Sequence, residues 1–221
     1  MKKIFFTIMT CVLCVAYGCG DKEDINEGAF YETYITSYYE PENAVPQNYG
    51  FGVKLEFTGG KSIYNGEKFK ELSRYYGDVN YNRWRMQMPI TAINDSITKV
   101  ELITKDGFDV AHPAESDVAE FANCIYASFY DYIKNGYTKQ NNSQNGFQQY
   151  ADVNLAEYSS LDGAELLKEK LSDINKSNTK LIGPYFVLTF DKKPEKAGKH
   201  SFELVIHLSK KIIKVPFEYD F

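Results

Sequence analysis

The sequence predicts a mainly β (α+β) fold, an antiparallel immunoglobulin-like β-sandwich with a two-helix insertion. Both ends of the chain alternate apolar and polar residues with a period of two, whereas the middle has apolar residues three and four apart. The aromatic content is 15%, with 18 Tyr and 15 Phe, and such residues favour strands. A sandwich would bury the apolar face of each strand against a second sheet.

The first half of the chain contains four predicted strands. They cover residues 30–39, 49–57, a segment around Trp84, and 97–104. In the third strand Trp84 alternates with Met86 and Met88, which predicts that Trp84 faces inward and that Arg83 and Arg85 face solvent. A short helical turn is predicted at 67–73.

The last forty residues have the clearest alternation. Three apolar series point to three strands joined in sequence as an antiparallel meander. Pro216 lacks a backbone N–H, which predicts that the last strand lies at a sheet edge. The alternating residues are Phe186, Leu188 and Phe190, then Phe202, Leu204, Ile206 and Leu208, then Ile213, Val215, Phe217 and Tyr219.

The middle of the chain predicts the helical insertion, at about 116–175. Ser116 is a candidate N-cap for a helix that ends near Lys134, with an apolar stripe that includes Phe121, Ile125 and Phe129. A second helix is predicted from Asp162, because Glu165 follows three residues later as in a capping box. Cys124 falls in the first of these helices and is predicted to be a buried, unreactive thiol.

The N-terminus has the features of a secretory signal. Lys2 and Lys3 precede an uncharged, mostly apolar segment at 4–18, which is too short for an ordinary membrane-spanning helix of about 20 residues. The small residues before Cys19 resemble a bacterial lipobox, although Ala16 stands where Leu is usual. We therefore predict a signal peptide at 1–18, lipid on Cys19, a flexible acidic tether at 19–28 and one globular domain at 29–221. The alternative is an ordinary signal peptide cleaved near Gly18.

The charge of the chain limits its partners. Removal of residues 1–18 takes away two lysines and no acidic residue, which leaves 23 basic and 30 acidic side chains and a formal charge of −7. A nucleic-acid partner is not expected, because such binding needs a basic face that neutralises phosphates. The expected partners are the membrane, through lipid on Cys19, and a glycan or protein.

The stretch at 97–121 combines a strand, Phe108-Asp109, His112-Pro113 and the Ser116-Asp117 helix start. With the signal, the lipobox and the strands at the end, it resembles a family of uncharacterised Bacteroidetes lipoproteins of unknown function. The acidic run at 21–24 resembles the export signal that takes many such lipoproteins to the cell surface. This resemblance implies an outer-membrane, lipid-anchored, surface-exposed protein, and it implies no activity.

The densest polar segment is 106–117, with four acidic residues and His112. Its oxygen ligands suggest Ca²⁺, but the segment lacks the EF-hand order, so no metal or other cofactor is expected. The alternative function is a hydrolase acting on glycans through a pair of carboxylates, since glycosidases place two acids across a sugar site. Its candidate acids are Asp106, Asp109, Glu115 and Asp117.

The leading function is a non-catalytic binding or interaction domain. Tyr rings stack well on ligands, and Tyr75, Tyr76 and Tyr81 fall in a segment without clean alternation, which predicts an exposed binding loop. Ser96 follows Asp95 and precedes Ile97, a pattern that resembles the O-glycosylation sequon of exported Bacteroidetes proteins. Ser96 is therefore a candidate modification site.

Overall fold

The computed structural model describes residues 28–49, 51–85, 89–138 and 163–221. It confirms the mainly β, antiparallel sandwich. The strands are β1 (Ala29–Tyr31), β2 (Ser37–Glu40), β3 (Asn43–Tyr49), β4 (Gly52–Thr58), β5 (Lys61–Ile63), β6 (Arg83–Arg85), β7 (Thr91–Ile93), β8 (Ile97–Thr104), β9 (Ala122–Ser128), β10 (Glu165–Lys170), β11 (Ile182–Phe190), β12 (Lys199–Leu208) and β13 (Ile212–Asp220). The α-helices of these ranges are α1 (Gly66–Tyr76) and α2 (Tyr130–Lys134).

Two sheets form the sandwich. One has five strands in the order β10-β9-β11-β4-β3, and the other has three in the order β13-β12-β8. Leu55 and Phe186 from the first sheet pack with Leu204 from the second, and all three are fully buried. We call this the sandwich core. It follows from the alternation in the sequence, since every second residue of these strands points between the sheets.

The other face of the five-stranded sheet is also covered. Its Ile125 and Val187 contact a second cluster formed by the three-stranded sheet β5-β2-β7, α1 and α2. Five buried tyrosines dominate this cluster, and we call them the aromatic layer: Tyr34, Tyr38, Tyr81, Tyr132 and Tyr137. The five-stranded sheet is therefore the middle of three layers.

Burial on both faces explains why the predicted helix at 116–134 is wrong. Residues Ala122–Ser128 of that segment form strand β9, in which every residue is buried, and only the single turn α2 is α-helical. A strand buried on both faces has a continuous apolar run without alternation, which a helical stripe can imitate. Cys124 is buried as predicted, and desolvation raises the pKa of its thiol well above the ordinary value.

The second predicted helix is also wrong over its described part. Residues Glu165–Lys170 form β10, which pairs antiparallel with β9, whereas the proposed start at Asp162 lies outside the described residues. Leu167 packs against the sandwich core and Leu166 against the aromatic layer. Pairing with β9 thus overrides the good helix propensity of Leu, Lys and Glu in this segment.

The C-terminal meander is confirmed only for its last two strands. β12 and β13 form an antiparallel hairpin, and β13 lies at a sheet edge as Pro216 predicted. β11, however, pairs with β4 and β9 in the other sheet. The connection between β11 and β12 therefore crosses from one sheet to the other. Alternation identifies the buried face of a strand but not its neighbours.

The predicted turn at 67–73 is the eleven-residue helix α1. It ends at Gly77, which has a φ of 76° in the left-handed region that favours glycine. The backbone N–H of Asp78 then donates to Ser73 O at 2.8 Å. This ending brings the Asp78 side chain back toward the start of the domain.

Candidate functional site

The most unusual surface of the described chain is a two-stranded ribbon, formed by β1 and β6. Phe30 lies directly opposite Trp84, and their ring centroids are 5.9 Å apart at an interplanar angle of 64°. Phe30 is 48% exposed and Trp84 is 73% exposed. The predicted inward orientation of Trp84 is therefore wrong, because this strand has its apolar side in solvent.

Arginine side chains hold the opposite face of the ribbon against the protein. The Arg85 guanidinium lies 4.4 Å from the ring centroid of Tyr31, and Arg85 Nη2 donates to Tyr34 O at 2.9 Å. Arg83 lies over the ring of Tyr81, 5.4 Å from its centroid. Guanidinium groups stack favourably on aromatic faces. The ribbon thus docks through its cationic side and leaves Phe30 and Trp84 facing outward.

A buried carboxylate supports the same region. Asp78 is fully buried and accepts hydrogen bonds from the backbone N–H groups of Tyr34 and Ile35, each at 2.8 Å, and from the Tyr137 hydroxyl at 3.0 Å. Desolvation raises the pKa of Asp78, while these hydrogen bonds and the nearby charge of Arg85 act in the opposite direction. Because these hydrogen bonds engage both carboxylate oxygens, Asp78 links α1 to the segment before β2 rather than facing a ligand.

The three predicted contact tyrosines occupy three different environments. Tyr75 is 75% exposed at the end of α1, and its ring meets that of Tyr76 edge to face at 4.9 Å. Tyr76 is half-buried, stacks on Tyr38, and donates from its hydroxyl to Asn94 O at 3.0 Å. Tyr81 is 8% exposed and belongs to the aromatic layer. The expected binding loop is therefore wrong for Tyr75 and Tyr76, which lie in a helix, and Tyr81 is buried in the core.

The two predicted modification sites are Ser96, for a glycan, and Cys19, for lipid. Ser96 is buried just before β8. Attachment of a glycan to the folded chain would require the packing around Ser96 to open. Cys19, the predicted lipidation site, lies outside the described residues.

Two acids of the 106–117 segment bind backbone groups. Asp106 accepts the N–H of Ser201 at 2.7 Å, and Asp117 accepts the N–H of Leu102 at 3.0 Å. These bonds attach the segment to β12 and β8. Since both carboxylates already accept backbone N–H groups, and the bond to Asp117 is partly buried, their arrangement favours a role in holding the loop.

The remaining acids of this segment form ion pairs. Glu115 lies 3.0 Å from Lys105 Nζ, and Asp109 lies 2.6 Å from Lys192 Nζ and 2.7 Å from Nδ1 of His112. The hydrogen bonds from Lys192 and His112 hold the pKa of Asp109 well below its usual range. An ionised Asp109 engaged by two partners is a poor proton donor, so this geometry does not favour the glycan hydrolase.

Within the described ranges, no group of three or more His, Cys, Asp or Glu side chains is arranged to hold a metal ion. The described ranges also contain no helix that is long and apolar enough to cross a membrane.

Comparison with known proteins assigns no family to the chain. No protein-family model, curated protein or solved structure matches it. The two most exposed aromatic side chains of the described residues are Tyr75 on α1 and Trp84 on the ribbon. Both rings are held by neighbouring aromatic groups, which suits contact with another surface rather than bond breaking.

Sequence reasoning identified Tyr75 but missed Trp84 and Phe30. The signal was present in the segment at 83–85, where arginines flank the tryptophan on both sides. Alternation alone left two orientations open, and the apolar-inward choice was wrong. A chain with 18 tyrosines offers many rings on which a guanidinium can stack, which favours arginines facing the protein and Trp84 facing solvent.

Proposed function

We propose that the chain is a lipid-anchored cell-envelope protein at the outer membrane, exposed on the cell surface, whose globular part is a non-catalytic binding domain. The sequence at 1–19 supports the anchor, through its basic start, apolar segment and Cys19. The resemblance to Bacteroidetes lipoproteins supports the location.

The binding part of the proposal depends chiefly on one observation, the presentation of Tyr75. Its ring is 75% exposed, while Tyr76 beside it is fixed by Tyr38 and by Asn94 O. The Tyr75 ring packs edge to face on Tyr76, and an aromatic side chain, with only two rotatable angles, loses little entropy when a ligand covers it. The partner class that fits is a glycan, through the C–H face of a sugar ring, or an apolar patch on a protein.

The anchor is tested by the Cys19→Ala variant. A multiply acylated cysteine holds a protein firmly on a membrane, whereas an unmodified one adds no affinity. We expect the parent protein in the membrane fraction and the variant in the soluble fraction after cell disruption. A variant that remains in the membrane fraction would place the anchor elsewhere.

The binding site is tested with a glycan array at low and high salt. We expect binding that survives high salt, since stacking is not screened as charge interactions are. Tyr75→Ala should weaken it at least tenfold, equivalent to about 1.4 kcal/mol. Tyr64→Ala is the matched control, because Tyr64 is also exposed and precedes the same helix. Equal losses for both variants, or none for Tyr75→Ala, would reject this site.

If the array gives no hit, the protein-partner branch is tested in cells. A photo-crosslinking amino acid at position 75 should capture a discrete partner, whereas the same group at position 64 should not. Failure at both positions would remove Tyr75 as a contact residue.

A further inference from the structure

The exposed ribbon lies at the point where the globular domain meets the segment that leads to Cys19. β1 begins at Ala29, the second described residue, and its central residue Phe30 packs on Trp84. Large apolar rings in solvent are informative because a folded chain normally buries them. Here the rings are directed outward by the arginines on the other face.

We propose that the Phe30–Trp84 face rests in the headgroup region of the bilayer that holds the lipid on Cys19. This inference rests on the proposed lipid anchor and specifies which side of the domain faces the membrane. The ribbon then acts as a second, weak membrane contact that fixes the orientation of the domain and leaves the site at Tyr75 free for its partner.

Chain length supports a membrane as the occupant. Eight residues lie between Cys19 and Gly28, and a fully extended chain spans no more than about 3.6 Å for each step from one residue to the next, or roughly 30 Å in all. Phe30 and Trp84 therefore remain close to the bilayer whatever conformation the intervening residues adopt. A short connection also gives the second contact an effective concentration on the order of millimolar, so a weak interaction is sufficient.

The chemistry of the ribbon supports the same occupant. Trp is favoured at membrane interfaces because its ring is apolar and its indole N–H is polar. Since the mature chain has a net charge of −7, general attraction to anionic lipids is not available, and the aromatic rings must provide the contact.

The sequence provides its own probe, because Trp84 is the only tryptophan. The mature full-length protein would be reconstituted into phosphatidylcholine vesicles, with or without bromine near the top of the acyl chains. Groups bound at an interface lie roughly 5–10 Å into the headgroup and acyl boundary, within reach of bromine, so we expect about a twofold loss of emission. The Cys19→Ala protein mixed with the same vesicles should show little quenching.

A relocated probe is the matched control. The double variant Trp84→Phe, Tyr75→Trp moves the single tryptophan to the end of α1, where the native ring is equally exposed. It should sediment with the vesicles and keep its emission in brominated lipid. Quenching equal to that of the parent would show that the domain has no preferred face, which would overturn the inference.

The remaining outcomes separate this inference from the anchor on which it rests. If the mature protein does not sediment with vesicles, the anchor fails and the inference fails with it. If the protein sediments but Trp84 is not quenched by bromolipid, the inference alone fails. If Trp84 is then shielded from acrylamide on intact cells, a protein or glycan covers the ribbon instead, and the membrane assignment is overturned.

Discussion

The sandwich core and the aromatic layer cover opposite faces of the same five-stranded sheet, yet they are built on different principles. The sandwich core is almost wholly aliphatic and phenylalanine, with residues such as Leu55, Phe186 and Leu204. The aromatic layer contains the fully buried Asp78 and the half-buried Arg85 among its tyrosines. One layer is held by apolar packing, and the other depends on specific hydrogen bonds and cation–π contacts.

This difference affects how each layer fails. Apolar packing is non-directional, and a defect costs free energy in proportion to the volume lost. Polar groups in the aromatic layer must each find their partner, since an unpaired buried group is costly. We therefore expect the sandwich core to determine global stability, and the aromatic layer to determine the positions of the ribbon and α1.

The largest expected effect is a cavity in the sandwich core. Ile213→Ala should lower the free energy of unfolding by about 2–5 kcal/mol, because Ile213 is buried opposite Ile206. The control is its neighbour Ile212, which is exposed, so Ile212→Ala should cost less than about 0.5 kcal/mol. Urea unfolding followed by circular dichroism would measure both. Equal costs would mean that the alternation of β13 is wrongly oriented.

Loss of the buried carboxylate should have the next largest effect. Asp78→Ala leaves the backbone N–H groups of Tyr34 and Ile35 without acceptors, and the expected cost is about 2–3 kcal/mol. Asp220→Ala, at an exposed position in β13, is the control for removing an acidic side chain. A loss below about 1 kcal/mol for Asp78→Ala would show that water replaces the carboxylate.

A smaller and more local effect is expected from Arg85→Ala. It removes the stack on Tyr31 and the bond to Tyr34 O, together worth about 1–2 kcal/mol. Hydrogen exchange should show lower protection in β1 and β6, with little change in β12. Arg74→Ala, in the exposed last turn of α1, is the control. Uniform loss of protection across the domain would contradict separate roles for the two layers.

The difference between the sandwich core and the aromatic layer also explains which strands could be predicted from the sequence. Period-two alternation correctly located β8, β12 and β13, because each has one face buried in the sandwich core and one face that is largely exposed. β9 was missed since both of its faces are buried, and β10 was missed since pairing at an edge overrode its propensity. The errors therefore cluster where tertiary contacts, which a local pattern does not contain, decide the structure.

The candidate site was predictable only in part, for the same reason. Tyr75, Tyr76 and Tyr81 are similar in sequence, but a helix end, a stack on Tyr38 and the aromatic layer separate them into exposed, half-buried and buried positions. The exposure of Trp84 depends on Arg85 reaching Tyr31 across the ribbon. Such long-range pairings of polar and aromatic groups have no periodic signature.

The smallest expected effect concerns Tyr76, at the border between the aromatic layer and solvent. Burial raises the pKa of Tyr76 from 10.0 to about 12. Because the folded pKa exceeds the unfolded value, its contribution to stability is complete below pH 10 and is lost as the pH rises through about 12.

Tyr76→Phe removes both this titration and the hydrogen bond to Asn94 O. It should cost about 1 kcal/mol at neutral pH and make the decline in stability between pH 10 and 12 shallower than in the parent. Tyr75→Phe is the control for the removal of a hydroxyl, since Tyr75 is adjacent and 75% exposed. Urea unfolding at several pH values would measure the slopes, and identical slopes for Tyr76→Phe and the parent would show that Tyr76 ionises without cost in the folded protein.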